Sequence, residues 1–280
     1  MVRVGVHVSI AGSIDKAVDR AKERRCDTFQ IFSRNPRGWK IKPLDEREAH
    51  LFMVKVEQSG IFPPVDHMPY LPNLAASADE VYQQSVAALI DELRRCGALQ
   101  IPYLVTHLGS HRGAGEAVGL QRIIAAINTA FREVENRVML LLENTAGTKN
   151  SMGGSFEQIK RIVDAIEQKD RIGFCFDTCH GFAAGYEVRT EASLNATLEH
   201  FDAVLGLANL KLLHLNDAKG ALNSALDRHE HIGLGYIGED GFRVILHDDR
   251  LRALPMILET PVDKRRSDVE NIAKVRELAK

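Results

Sequence analysis

Residues 174 to 187 read FCFDTCHGFAAGYE, which puts Cys175, Asp177, Cys179 and His180 inside six positions. Two thiols, a carboxylate and an imidazole could form a disulfide arm, a thiolate metal knot, or part of a larger site. The spacing of the two cysteines is not the usual thiolate pair, and Cys26 and Cys96 lie far away without the close pairing of a zinc ribbon. All four cysteines are therefore expected to be packing residues. Strand alternation predicts Cys175, Asp177 and Cys179 on one face. Asp177 and His180 remain as the pair able to do chemistry.

The same residue types recur down the chain. His67, His107, Glu143, Asp177, His214 and Glu259 each close an apolar run, His180 follows the fourth of these, and DRHEHIGLG supplies Asp227 and His229. A lone histidine at a strand end is more often a hydrogen-bonded structural residue. Carboxylates ending VMLLLE and MILE are another matter, because an unpaired charge there is costly to desolvate. No basic residue shares the inner positions of those strands, whereas imidazoles do gather there, and carboxylate and imidazole together bind divalent metal. Glu143, Asp177, Asp227 and Glu259 with five histidines make nine ligands. At about three or four protein ligands per catalytic zinc, with one carboxylate bridging, nine suit three ions. Three dications exceed four carboxylates by about two charges, which a hydroxide and one phosphodiester would neutralise, so the tally favours phosphate-ester hydrolysis.

Strand-like and helix-like segments alternate around these residues. RVGVHV (3–8), DTFQIF (27–32), PPVDHM (63–68), YLVTH (103–107), VMLLLEN (138–144), IGFCFD (172–177), LKLLHLN (210–216) and PMILET (255–260) each lead into a loop and a helical stretch. The spacing of Tyr82, Val86, Leu89, Ile90 and Leu93 marks one apolar helix face. Eight such units, with strands apolar enough to be covered on both faces, predict a single (β/α)8 TIM barrel spanning residues 1–280, with the active site at the C-terminal ends of the strands. Every candidate ligand then falls on one rim. Of eleven histidines, His50, His200 and His247 fall in helical segments away from it.

MVRVGVHVSIAGS has polar residues where a secretion signal needs its apolar stretch, and no apolar run approaches about 18 residues, so the chain is expected in the cytoplasm with no membrane partner. With a net charge of −2, a nucleic-acid partner would have to be met by a local basic patch. SRNPRGWKIK offers one, with Arg34, Arg37, Lys40 and Lys42 around Trp39.

HVSIAGS (7–13), FSRNPRGW (32–39), DHMPYLPNL (66–74), THLGSH (106–111), LENTAG (142–147), FDTCHGFAAGYE (176–187), HLNDAKG (214–220), DRHEHIGLGYIG (227–238) and ILET (257–260) together resemble the endonuclease IV family of zinc-dependent apurinic/apyrimidinic-site endonucleases. The resemblance runs in order over nearly the whole chain. It implies a (β/α)8 barrel with three Zn2+ ions. By position, His67, His107 and Glu143 would hold one ion; Asp177, His214 and Glu259 a second, with Glu143 bridging; and His180, Asp227 and His229 a third. It further implies that Glu143 is catalytic, that Arg37, Tyr70 and Leu71 enter the duplex at the lesion, and that Trp39 stands in the DNA-facing loop. The implied substrate is duplex DNA with abasic sites or blocked 3′ ends. The implied reaction is in-line hydrolysis of the phosphodiester 5′ to the abasic sugar, by a chain acting as a monomer. Ser13 and Leu234 depart from what is common in the family.

Two other classes fit part of this pattern. Sugar isomerases and epimerases also build metal sites at barrel strand ends, but they lack a DNA-entering loop and a third Asp-x-His site. A non-catalytic DNA-binding module would not need buried carboxylates.

Overall fold

The computed structural model describes residues 2–40 and 42–280. Eight parallel strands form one sheet: β1 (Arg3–Val6), β2 (Phe29–Ile31), β3 (Pro64–His67), β4 (Tyr103–His107), β5 (Met139–Glu143), β6 (Ile172–Asp177), β7 (Leu210–His214) and β10 (Pro255–Leu258). Their hydrogen-bonded order runs from β1 through β10 and back down to β2. A parallel bridge between His7 and Gln30, with Val8 N–H donating to the Gln30 carbonyl at 2.8 Å, joins the two edges. The result is a TIM barrel, as the repeated strand and helix pattern predicted. A small antiparallel pair, β8 (Asp217–Ala218) with β9 (His229–Glu230), was not visible in the sequence pattern and stands above β7.

The covering helices are α1 (Lys16–Glu23), α2 (Glu46–Ser59), α3 (Asp79–Leu99), α4 (Glu116–Glu133), α5 (Phe156–Asp164), α6 (Thr178–Ala183), α7 (Glu191–Leu205), α8 (Gly238–His247) and α9 (Asp268–Leu278). Each presents an apolar stripe to the barrel; in α3, Tyr82, Val86, Leu89 and Leu93 are buried and Ile90 packs at the edge, as their spacing requires. Starts and stops follow local chemistry. Asp45 caps α2 by accepting the amides of Arg47 and Glu48, and Gly60 ends it in the left-handed region at φ 69°.

Because side chains alternate along a strand, each barrel strand sends one set outward to the helices and one set inward. The outward set belongs to the large core between sheet and helices. The inward set forms a separate apolar layer of Val65, Val105, Leu141, Cys175, Leu212 and Ile257. Each of these stands two residues before one of His67, His107, Glu143, Asp177, His214 and Glu259. The period of two thus aims all six candidate ligands into the barrel mouth, one layer above a dry floor.

All four cysteines are buried and free. Cys175 lies in the inner layer. Cys179 does not share its face: the strand stops at Asp177, whose carboxylate accepts the His180 amide at 2.8 Å and starts α6, so Cys179 turns into the outer core. Helical spacing replaces strand alternation at that point.

Candidate metal centre

Glu143 is fully buried at the middle of the rim. Its Oε2 lies 3.2 Å from His67 Nε2 and 3.4 Å from His107 Nε2, and its Oε1 lies 2.9 Å from His214 Nδ1 and 3.4 Å from His180 Nδ1. Glu259, the first residue past β10, sets Oε2 3.5 Å from the same His214 nitrogen, and Asp177 Oδ2 stands 4.0 Å from it. On the loop side, Asp227 Oδ1 is 3.2 Å from His180 Nε2, while His229 Nε2 is 3.6 Å from Asp177 Oδ2. Ligand atoms therefore converge in groups: His67, His107 and Glu143; Glu143, Asp177, His214 and Glu259; and His180, Asp227 and His229. The structure brings together all nine residues expected at the rim. A further convergence of Asp177, Cys179 and His229 includes a thiol. Burial pushes the Cys179 thiol up to about 12, and its S–H is turned to the Arg228 carbonyl at 3.5 Å.

Hydrogen bonds orient the imidazoles. His67 Nδ1–H donates to the Met68 carbonyl at 2.7 Å, His180 Nδ1–H to the Asn144 carbonyl at 3.1 Å, and His229 Nδ1–H to the Glu259 carbonyl at 3.1 Å. His214 Nε2–H donates to Gln30 Oε1 at 2.9 Å. In His67, His214 and His229 the proton-bearing nitrogen points away from the carboxylates, in His180 it also lies 3.4 Å from Glu143 Oε1, and in all four rings the other nitrogen is left for a cation or a second proton. This is the arrangement a metal-binding histidine needs. Between His180 and His229 the two inward Nε2 atoms stand 3.4 Å apart, and two lone pairs at that separation repel unless something positive sits between them. Nitrogen and carboxylate oxygen donors, with a floor that excludes water, fit a cluster of divalent ions of the zinc kind.

The electrostatics agree. Burial pushes the Glu143 carboxyl up, but His107, His214 and His180 outweigh it and hold it well below the usual carboxylate range. Glu259 is held at about 2, burial being outweighed by His214 and His67. Asp227 is also held at about 2, chiefly by its hydrogen bond to His180. Burial would lower His180 and His214, yet both are raised, His180 by Asp177, Asp227 and Glu143, His214 by Cys175, Glu259 and Glu143. The centre attracts positive charge.

Three residues around the ligands carry no expectation from the sequence. Asn216 donates to Asp177 Oδ2 at 2.7 Å and accepts the Glu259 amide at 2.8 Å. Asn144 clamps the Asp177 backbone from both sides. Gln30, fully buried, donates to Glu259 Oε1 at 2.7 Å. The only signal for Gln30 was a polar residue inside the apolar run TFQIF.

Above the ligands a cavity of about 490 Å³ is lined by His7, Phe32, Tyr70, Thr260 and Val262 together with rim histidines. Tyr70 is exposed and meets Phe32 edge-on at 4.9 Å. Leu71 and Arg37 are exposed and Trp39 is half-buried, and none of these three lines the cavity. Arg34 departs from expectation. It is buried, its guanidinium paired with Glu92 of α3, while Ser33 and Arg95 complete the cluster. It anchors the loop from beneath, and Arg37, Lys40 and Lys42 are the exposed basic residues.

Fold and rim together define a barrel of the xylose isomerase-like kind, and residues 18–280 match the family model of that description. A protein named probable endonuclease 4 from Methanoculleus marisnigri is 63% identical over 280 residues, covering 100% of this chain and 99% of the relative. One of the same name from Nitrosopumilus maritimus is 50% identical, over 99% of this chain and 100% of the relative. Endonuclease IV from Thermus thermophilus, a solved structure, matches with a TM-score of 0.87 at 36% identity, covering 99% of this chain and 98% of that one. The chain belongs to the endonuclease IV family. A D-tagatose 3-epimerase-like protein matches with a TM-score of 0.72 at 17% identity, over 99% of this chain and 98% of that one, and shares the fold alone. Among the described residues no helix is long and apolar enough to cross a membrane.

Proposed function

We propose that this chain is a DNA-repair endonuclease that hydrolyses the phosphodiester 5′ to abasic sites in duplex DNA, leaving a 3′-hydroxyl and a 5′-deoxyribose phosphate, and that it also clears blocked 3′ ends. Three zinc ions would be held, the first by His67, His107 and Glu143, the second by Asp177, His214 and Glu259 with Glu143 shared, the third by His180, Asp227 and His229. The observation that carries the reading is the facing pair of Nε2 atoms at 3.4 Å beside a carboxylate ringed by imidazoles, an arrangement that calls for cations. When bound, such ions lower the pKa of a water toward neutrality and stabilise charge on a phosphate.

The chain's own residues supply the rest. Glu143 sits where it can orient a water and take its proton. Asn216 and Asn144 hold Asp177 in place, and Gln30 holds Glu259. Exposed Tyr70 and Leu71 suit a wedge that replaces lost stacking, Arg37 suits the backbone of the strand, and Trp39 adds an aromatic to the same loop. An abasic nucleotide has no base to unstack, so turning it into the cavity costs less than turning an intact one.

Elemental analysis of the purified protein, with cleavage of a duplex carrying one tetrahydrofuran abasic analogue, tests this. About three zincs per chain and a single cut 5′ to the analogue are expected. One ion or none, or no preference for the analogue over intact duplex, rejects the reading.

A further inference from the structure

Gln30 points into the barrel from β2 and is fully buried. Its Nε2 lies 2.7 Å from Glu259 Oε1 and 3.1 Å from His7 Nδ1, and its Oε1 lies 2.9 Å from His214 Nε2. An ionised carboxylate only accepts, so the amide nitrogen must face Glu259. That nitrogen has two protons and no lone pair to offer. One proton goes to Glu259; the other is directed at His7 Nδ1, which must therefore be bare. A histidine with a bare Nδ1 is neutral and carries its single proton on Nε2.

His7 is packed against Phe32 at 4.2 Å between ring centroids, and it lines the cavity beside His67, Tyr70 and Glu259. Among the described residues the only hydrogen bond of its ring is the one at Nδ1. A neutral donor is thus aimed from a rigid ring, with its tautomer set by a buried amide, at a cavity whose floor would hold cations. We propose that His7 is a substrate-contact residue that donates its Nε2–H to a non-bridging phosphate oxygen of the bound DNA strand, and that Gln30 is the positioning residue that sets its tautomer. This rests on the proposed reading of the cavity as the DNA site. It extends that reading, because neither residue is among the ligands or the duplex-entering residues.

The test uses His7→Leu, which removes the donor, and His7→Gln, which restores an N–H on a side chain of similar reach. Each is assayed for zinc content, for binding of the tetrahydrofuran duplex and for single-turnover cleavage. The substrates are the parent duplex and a set in which one phosphate near the lesion at a time is a neutral methylphosphonate. His7→Leu should keep its zinc and lose roughly 10- to 100-fold in binding or cleavage, the size of one hydrogen bond to a charged group. His7→Gln should recover part of the loss. At one phosphate, methylphosphonate substitution should cost the wild type much and His7→Leu little more, since the contact is already gone. Gln30→Leu should show the same phosphate-specific pattern more weakly.

Losses that simply add at every phosphate, an unchanged His7→Leu, or zinc loss in step with activity would each overturn the proposal. The wild type is the control. If it fails to cut the parent duplex, the functional reading itself has failed and takes this inference with it.

Discussion

The candidate metal centre has a strand-borne part and a loop-borne part, and they are built differently. His67, His107, Glu143, Asp177 and His214 stand on the last residues of barrel strands, and Glu259 one residue beyond. Each has the apolar floor two residues behind it, and nothing more than strand alternation is needed to aim it. His180, Asp227 and His229 come instead from the first turn of α6, an irregular segment and β9, and the Asp227 side chain is 53% exposed. That part needs its own scaffold. The buried Asp217 carboxylate provides it, accepting amides from Gly233 and Gly235 at 2.9 Å, Ile237 at 3.0 Å and Ala218 at 2.8 Å. A Cβ on Gly235 would lie 2.4 Å from the Ala218 carbonyl, so only glycine lets the loop close this tightly. His231, buried behind His229, adds hydrogen bonds to Asp263 and Asn271. A barrel mouth thus preforms two of the three groups, and the third depends on a loop folded around one carboxylate.

Four experiments bear on that division. The largest effect is expected at Glu143, shared by the strand-borne groups. Glu143→Gln keeps the shape and removes the charge, so binding of the abasic duplex should survive while single-turnover cleavage falls by at least the roughly 10²–10⁴-fold that positioned acid-base help supplies. Cleavage near the wild-type rate would remove Glu143 from the chemical centre. Next comes Asp217→Ala, which orphans several backbone amides at about 1–3 kcal/mol for a group left unsatisfied. It should lower the melting temperature and release about one zinc of three, measured by elemental analysis. Loss of all ions together would show that the two parts are not separable.

A smaller effect is expected at the residues proposed to meet DNA. Arg37→Ala and Tyr70→Ala should weaken abasic-duplex binding by roughly 10-fold with zinc content intact, Arg37→Ala also lowering the salt-dependence slope by about one. Arg34→Ala should behave otherwise, costing stability through the unpaired Glu92 carboxylate while leaving the slope unchanged. Equal slopes for the two arginine variants would erase the distinction between the exposed and buried members of that loop. Least of all should follow from Cys175→Ser combined with Cys179→Ser, which is expected to leave zinc count and cleavage as in the wild type. Loss of an ion there would return a thiolate to the ligand set.

The barrel and its rim were legible because both depend on short-range periodicity. Apolar runs such as VMLLLE and LKLLHLN are too short for helices and suit strands covered on both faces, and a period of two carries the polar terminal residue into the mouth whatever the helices outside do. The residues that end those runs could therefore be named from the chain alone. Where the period changes, that logic lapsed. Cys179 leaves the strand face because Asp177 caps a helix, and Arg34 leaves the exposed basic loop because Glu92, on a helix 58 residues away, neutralises it in the interior. The tautomers of His7 and His214 lie further still beyond a linear reading. They follow from one glutamine amide that touches β10, β7 and the end of β1 at once, and only closure of the barrel brings those three strands within hydrogen-bonding distance of it. By itself the amino-acid sequence determined which chemical groups end the barrel strands at the rim, since that needs local alternation only. The tertiary structure decided which nitrogen of each ring faces inward and which cation stays buried, because hydrogen-bond partners distant in sequence set both.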